Sequence, residues 1–403
     1  MNRIILKPKR EKSVTRFHPW VFSGAIQRTE GDLSLGTTAA VYSSAGEFLA
    51  WGHYSPHSQI RVRLFSWDET AKIDTTAFWE HKLSRAIRAR DNVLADGRTT
   101  ACRLVNAEND GLPGLVVDKY EDILVMQYLS AGMQIRKKMV EEILWNLLKP
   151  KAIYERSDAD VRQKEGLPME TGLLMGTLPP ELVEFQENGL RFLVDITQGQ
   201  KSGFYLDQRQ NRQFLRQLVQ QQVISGKKPK LLNVFSYTGG FTVYGLDGGA
   251  ISALNIDTSS EALALGRRIL TLNNLKHQKV TDMPCDAFEG LRTLRREGKT
   301  FDIIILDPPK FAASQKDVRH ATRGYKDINM QAFHLLEKGG YLLTFSCSGV
   351  ISDDLFQKIV FGAAVDVKLD VQIVAKLTQS DDHPVALTFP EGAYLKGLVC
   401  RIT

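Results

Sequence analysis

Four short stretches of this 403-residue chain combine glycines, acids and a thiol at spacings that can do chemistry. The first reads NVFSYTGGFT over residues 233–242, a short apolar run followed by Gly239 and Gly240. Glycine lets a backbone approach a ligand closely. In open parallel sheets, ligands sit beyond the carboxyl ends of the strands. The turn is not G-x-G-x-x-G, so a pyrophosphate cradle is not indicated. Asp257 closes a second strand, eighteen residues after Gly239. A carboxylate there can accept both ribose hydroxyls of an adenosine. Asp286 follows a third strand, where its side chain could reach an adenine amine. The competing reading makes each acid a helix N-cap.

The other two stretches follow the fourth and fifth strands. Asp307-Pro308-Pro309-Lys310-Phe311 ends a wholly apolar strand, FDIIILD. Two prolines remove two backbone donors and stiffen the turn. A rigid turn presents Asp307 and its neighbouring carbonyls to a planar base edge; the alternative is a turn that merely stops the strand. Phe311 either stacks on that base or belongs to the core. Cys347 ends the fifth strand in TFSCS. It should therefore face the same crevice as Asp257 and Asp307. An ordinary thiol is only about 3% thiolate at neutral pH, and thiolate is the reactive form. Cys347 is either a nucleophile activated by its surroundings or a small buried hydrophobe. Cys285, beside Asp286, could line the adenine pocket, whereas Cys102 and Cys400 lie in strand-like runs and read as core.

These residues need a scaffold, and the pattern supplies one. From about residue 190 onward, strands alternate with helical spacings. Runs at 231–236, 252–257, 301–307 and 340–346 read as strands. Ala262, Leu265, Ile269 and Leu272 recur at helical spacing, and further helices are expected near 328–337 and 353–364. This predicts an α/β domain over 190–403 with a mostly parallel sheet. The final strands, 371–377 and 395–402, have only a polar loop between them, which favours an antiparallel pair. Residues 1–76 show short apolar runs at 4–6, 20–22, 39–42 and 60–65, punctuated by Gly, Ser and Pro, and predict a small β-barrel. Residues 77–189 read as a small α+β unit. It opens on the amphipathic FWEHKLSRAIRARDNVL, then strands at 114–118, 123–128 and 152–155 around a helix near 135–148.

Composition narrows the setting. The chain is 43% hydrophobic and 24% charged, ordinary for a globular protein, with no apolar run long enough to span a membrane. The basic start, MNRIILKPKREK, has no apolar core behind it, so a secretory signal is not expected. Four scattered cysteines without a C-x-x-C pair argue against a zinc site and a disulfide scaffold, and fit a reducing cytoplasm. The net charge is +6, and residues 1–90 hold all of it, with 14 Lys/Arg against 8 Asp/Glu. Such a patch attracts phosphate backbones, or simply solubilises the surface.

Together these motifs resemble class I S-adenosylmethionine (SAM)-dependent methyltransferases, which carry a Rossmann-like seven-stranded sheet. NVFSYTGGF, DTSSEAL, FDIIILDPPKF, RGYKDIN and LLTFSCSG are more closely similar to the bacterial large-subunit (23S) rRNA cytosine-5 methyltransferases that carry an N-terminal PUA domain. RFHPWVFSGAI resembles the opening of the PUA barrel, ITQGQKSGFYLDQRQNR at 196–212 the lead into the catalytic domain, and HPV…FPEGAYLKG the C-terminal region. The resemblance covers essentially the whole chain. It implies SAM as cofactor, held at Phe235, Ser236, Tyr237, Thr238, Gly239, Asp257, Asp286 and Asp307. It also implies Cys347 as nucleophile, Asp307 as the base-recognition residue and ribosomal RNA as partner. RNA contacts are expected at Lys7, Lys9, Arg10, Arg16 and Lys310, with no metal, and with a homodimer allowed. Related RNA cytosine-5 methyltransferases place a second cysteine after the fourth strand to release product. Here the position reads DPPK, so release must use another group. Two rivals stand beside this reading: methylation of an exocyclic amine or ring nitrogen without a covalent step, and a non-catalytic RNA-binding or ribosome-assembly factor.

Overall fold

The computed structural model describes residues 2–179, 181–200 and 202–403. Lys201, within the ITQGQKSGFYLDQRQNR segment, lies outside the described residues. The chain forms two compact units. One comprises the residues up to Gly189 with Leu193–Leu206 and Asp382–Gly392; the other comprises Leu190–Phe192, Asp207–Asp381 and Ala393–Thr403.

The first unit contains two sheets. Its N-terminal sheet has six strands in the order Trp20–Phe22, Ile60–Ser66, Phe48–Tyr54, Thr38–Tyr42, Arg3–Leu6, Ile26–Glu30. Every pairing is antiparallel except that of Arg3–Leu6 with Thr38–Tyr42. Ile4, Leu6, Val41 and Val62 are buried in its core. Two strands here went unread in the sequence. Ile26–Glu30 is an edge strand with a largely exposed face. Phe48–Tyr54 is interrupted by Gly52, where an added Cβ would sit 2.5 Å from Val62.

The second sheet has five strands in the order Glu170–Gly176, Ala152–Ser157, Ile123–Tyr128, Leu115–Tyr120, Ala101–Asn106. The amphipathic segment becomes the helix Thr76–Arg88, capped by the Thr75 side chain, with Trp79, Leu83 and Ala86 buried. These three share one apolar cluster with Phe65 and Ile73 from the preceding segment. Ala101–Asn106 is the strand-like run expected around Cys102, whereas Glu170–Gly176 was not anticipated; it is an edge strand with no buried position.

The second unit is built on a seven-stranded sheet. Its order is Val280–Pro284, Ser252–Asp257, Lys230–Val234, Phe301–Leu306, Leu336–Ser346, Lys396–Ile402, Val371–Leu377. The first five strands of this order are parallel. Lys396–Ile402 is antiparallel to both of its neighbours. The chain's last strand is therefore inserted between the fifth strand and the edge. The expected alternation is present, and the central FDIIIL strand is apolar because both of its faces are covered. Helix starts carry side-chain caps. Ser259 accepts from Ala262 N–H, Ser352 from Leu355 N–H, and Asp286 from Phe288 and Glu289 N–H. Among the described residues, no helix is long and apolar enough to cross a membrane.

Candidate active site

The first strand ends at Val234, and the backbone then alternates between ordinary and left-handed conformations. Phe235, Tyr237 and Gly239 all have positive φ, at 60°, 49° and 75°. Two non-glycine residues held there mark stored strain, which clusters at ligand sites. The strain is held locally. Ser236 N–H donates to the Ile256 carbonyl at 3.0 Å, and Gly239 N–H to the Ser236 carbonyl at 2.8 Å. The helix Gly240–Asp247 that follows is pinned by side chains. Asn233 Nδ2 donates to Thr242 Oγ1 at 3.0 Å, and Thr242 in turn donates to Asn255. Asn255 Nδ2 donates to Asp282 at 2.9 Å, and Arg267 holds the far side of that carboxylate.

Asp257 joins this turn. Its Oδ2 accepts Tyr237 N–H at 2.7 Å and its Oδ1 accepts Ser259 N–H at 2.9 Å. It is not the helix N-cap, which is Ser259. Asp286 is an N-cap, as the competing reading had it, through Oδ1 alone. Both acids keep acceptor capacity, since a carboxylate offers about four lone-pair sites. Two buried hydroxyls of the turn, Ser236 Oγ and Thr238 Oγ1, have no hydrogen-bond partner among the described residues. Leaving such groups unmade costs about 1–3 kcal/mol each. A ligand rich in hydroxyl, amino and carboxylate groups, as SAM is, fits this turn.

The fourth and fifth strands end side by side. Asp307 N–H reaches the Val234 carbonyl at 3.4 Å, so the D-P-P turn begins next to the glycine turn. The Cys347 thiol points at the Pro308 carbonyl, with Sγ 3.9 Å from the oxygen. Asp307 and Cys347 are both half-buried. Phe311 packs in an aromatic group with Phe235, Phe288 and Tyr325, centroids 4.7–6.3 Å apart, and stays partly exposed.

The support for Cys347 includes residues to which the sequence had assigned no role. Tyr325, from the helix Val318–Leu335, is fully buried, and its hydroxyl meets Ser346 Oγ at 3.0 Å and Ser348 Oγ at 3.2 Å. Burial pushes this phenol's pKa up, so it remains a neutral hydroxyl. Ser348 Oγ also accepts Ala312 N–H at 3.3 Å, tying the two loops together. The buried Lys396 donates to the Ser348 carbonyl. The only sequence signal for these residues was their place in RGYKDIN, TFSCS and YLKG; no periodicity marks them. The other cysteines differ. Burial pushes the Cys285 thiol up, with Glu289 and Asp286 adding, and pushes Cys400 to about 12. Cys102 is fully buried on its strand.

Basic residues of the segment after the strand Arg3–Leu6 surround a cleft of about 590 Å³. It is lined by Lys9, Arg10, Lys12, Arg16, Trp20 and Phe22 among others. Lys7 instead donates to the Gly24 carbonyl at 3.0 Å. Lys310 is exposed after the D-P-P turn, in the other unit.

Residues 4–67 match the model of a PUA-like domain, and residues 156–386 that of an S-adenosylmethionine-dependent methyltransferase. The chain is 46% identical over 400 residues to the ribosomal RNA large subunit methyltransferase I of Shigella boydii serotype 4, covering 99% of each chain. The protein of the same name from Escherichia coli O139:H28 matches at the same identity and coverage. A SAM-dependent methyltransferase structure from Streptococcus mutans superposes with a TM-score of 0.84 at 22% identity, covering both chains fully. A methyltransferase structure solved with SAH superposes at 0.86, also at 22% identity and with full coverage. The chain therefore belongs to the family of PUA-containing, S-adenosylmethionine-dependent methyltransferases that includes ribosomal RNA large subunit methyltransferase I.

Proposed function

We propose that this chain methylates carbon 5 of a cytosine in large-subunit ribosomal RNA, with Cys347 as covalent nucleophile. The observation that carries the reading is the thiol of Cys347, at the end of its strand and against the carbonyl of Pro308 in the D-P-P turn. The relatives' name supports ribosomal RNA as the substrate.

Ser236, Tyr237, Thr238 and Gly239 hold the cofactor with Phe235. Asp257 accepts the ribose hydroxyls on its remaining lone pairs, and Asp286 Oδ2 accepts the adenine amine. Bound SAM supplies a methyl group activated on a sulfonium. Carbon 5 of cytosine is a weak nucleophile. Attack of the Cys347 sulfur on carbon 6 makes carbon 5 enamine-like. Asp307 positions the base by accepting a hydrogen bond from its exocyclic amine. Once carbon 5 carries the methyl, its proton passes to a base, that electron pair re-forms the 5,6 double bond, and the carbon 6–sulfur bond breaks to release the Cys347 thiolate. The target base must be unstacked, at a cost of a few kcal/mol in a duplex, which loops in RNA reduce.

The first unit's basic cleft, with Lys9, Arg10 and Arg16, anchors the RNA backbone. Lys7 and Lys310 add charge elsewhere. The triple reversal Lys9→Glu, Arg10→Glu and Arg16→Glu should weaken RNA binding. It should also flatten the dependence of log affinity on log salt by about 0.7–0.9 per lost phosphate contact. An unchanged slope would move the anchor to another surface. Reversal is a cleaner test than deleting residues 1–76, because deletion would strip Phe65 and Ile73 from the cluster that buries Trp79 and Leu83.

The decisive experiment uses RNA carrying 5-fluorocytidine at the target. The fluorine blocks loss of the carbon 5 substituent, so the sulfur–carbon bond should persist. A SAM-dependent complex that survives denaturing electrophoresis and maps to Cys347 is expected. Methylation of normal RNA at a nitrogen, with no adduct, would support the non-covalent rival instead.

A further inference from the structure

The mechanism above leaves one buried cation unused. Lys396 is only 7% exposed. Its Nζ donates to the carbonyls of Ser348 at 3.0 Å and Tyr394 at 2.9 Å. The antiparallel register of the last strand brings it there, pairing Lys396 with Ser346, the residue before Cys347. The ammonium is thus bonded to the residue after the thiol, and the Lys396 backbone pairs with the residue before it.

An ammonium carries three donors, and two are taken by neutral carbonyls. Among the described residues, no carboxylate lies within 4.0 Å of Nζ. A buried charge without a counter-charge is costly. The groups that face it come from four elements. Cys347 follows the fifth strand, and Asp353 opens the helix Asp353–Asp366. Lys310 extends from the D-P-P turn, and the Tyr325 hydroxyl holds Ser346 and Ser348 from below. Burial pushes the Lys396 ammonium down; Asp353 and an anionic Cys347 oppose this, and Lys310 adds to it. Around Lys396, one carboxylate, Asp353, therefore stands against two cations, Lys396 and Lys310.

We propose that Lys396 is a positioning residue whose ammonium, held beside Cys347 by the Ser348 carbonyl, favours the thiolate over the thiol that meets the Pro308 carbonyl, before any RNA binds. The thiol proton passes to water and Lys396 keeps its own three, so the pair is neutral overall. When sulfur bonds to carbon 6, the negative charge moves onto the base. When that bond breaks, the ammonium faces the thiolate again, which favours departure in a chain whose D-P-P-K turn carries no second cysteine. The role in turnover rests on the covalent reading; the ion pair itself does not.

The test needs no RNA. Alkylation of Cys347 by iodoacetamide, followed by peptide mass spectrometry across about pH 5 to 10, reports its titration midpoint in the full-length protein. The wild-type midpoint should lie at least one unit below the ordinary thiol value of about 8.5. Lys396→Met should raise it by about a unit, a roughly tenfold loss of thiolate at neutral pH, and Lys396→Arg should restore most of the depression. SAM affinity by calorimetry should be unchanged in both, reporting an intact fold. A wild-type midpoint near 8.5 overturns the proposal without any variant. So does a Lys396→Met protein that binds SAM normally and titrates like wild type. A low midpoint without a 5-fluorocytidine adduct would remove Cys347 as nucleophile and leave the pair standing. An adduct with an ordinary midpoint would do the reverse.

Discussion

The cofactor turn and the cysteine turn lie at the ends of strands in one sheet, yet they are assembled in opposite ways. The cofactor turn is held mostly by its own backbone. Positive φ at Phe235, Tyr237 and Gly239, and the Tyr237 amide on Asp257, draw on about twenty-five consecutive residues. The cysteine turn is held by side chains and carbonyls from distant segments: Pro308, Ala312, Tyr325 and Lys396. A backbone cradle suits the parts of a cofactor that do not react. A thiol that must form and break a bond needs its charge and direction set, and only side chains supply charge.

The largest effect that would sharpen this contrast is Cys347→Ala. Methyl transfer should fall on the order of 10³-fold or more, while SAM affinity stays at the wild-type value. RNA methylation by mass spectrometry and calorimetric titration check the two halves. An alanine enzyme that still makes 5-methylcytosine would end the covalent reading.

Asp257→Ala acts on the other turn. Losing a charged acceptor should weaken SAM by about 1.5–3 kcal/mol. It also orphans the Tyr237 and Ser259 amides, so Asp257→Asn, which keeps one acceptor oxygen, separates ligand from scaffold. The asparagine variant should recover melting temperature more than affinity. If both recover together, the acid serves only the turn.

Gly239→Ala tests the backbone cradle with no steric complication. The nearest atom to an added Cβ is 3.7 Å away, so the cost is the left-handed conformation alone, about 1–2 kcal/mol in denaturant unfolding. Stability unchanged from wild type would mean the turn tolerates a side chain and is not constrained as described.

Tyr325→Phe should be the smallest change and the most selective. It removes one hydroxyl shared by Ser346 and Ser348, worth about 1 kcal/mol of stability. It should slow methylation more than it weakens SAM, because it loosens only the cysteine turn. An equal loss in both would merge the two turns into one unit.

The sequence by itself determined the parts that follow from local periodicity and from the parallel sheet. Strand and helix alternate along the chain, and in such a sheet every strand ends on the same side. Asp257, Asp307 and Cys347 were therefore legible as neighbours before any contact was known. Some strand ends shifted little, as the run expected at 301–307 is Phe301–Leu306 and that expected at 371–377 is unchanged; the helix expected near 328–337 is instead Val318–Leu335, and the strand expected at 340–346 already starts at Leu336. The antiparallel final pair was legible too, from a loop without a helix. Tertiary structure alone decided where that pair went. Lys396–Ile402 could have formed the edge; it is instead inserted beside the fifth strand, and this places Lys396 opposite Ser346, fifty residues earlier. Pairings at that separation leave no periodic trace, because either edge order buries the same apolar faces. The roles of Asp257 and Asp286 were open for a related reason. Whether an acid at a strand end caps a helix or holds a neighbouring turn depends on which amide comes within about 3 Å, and the packing of the strands against the helices sets that distance.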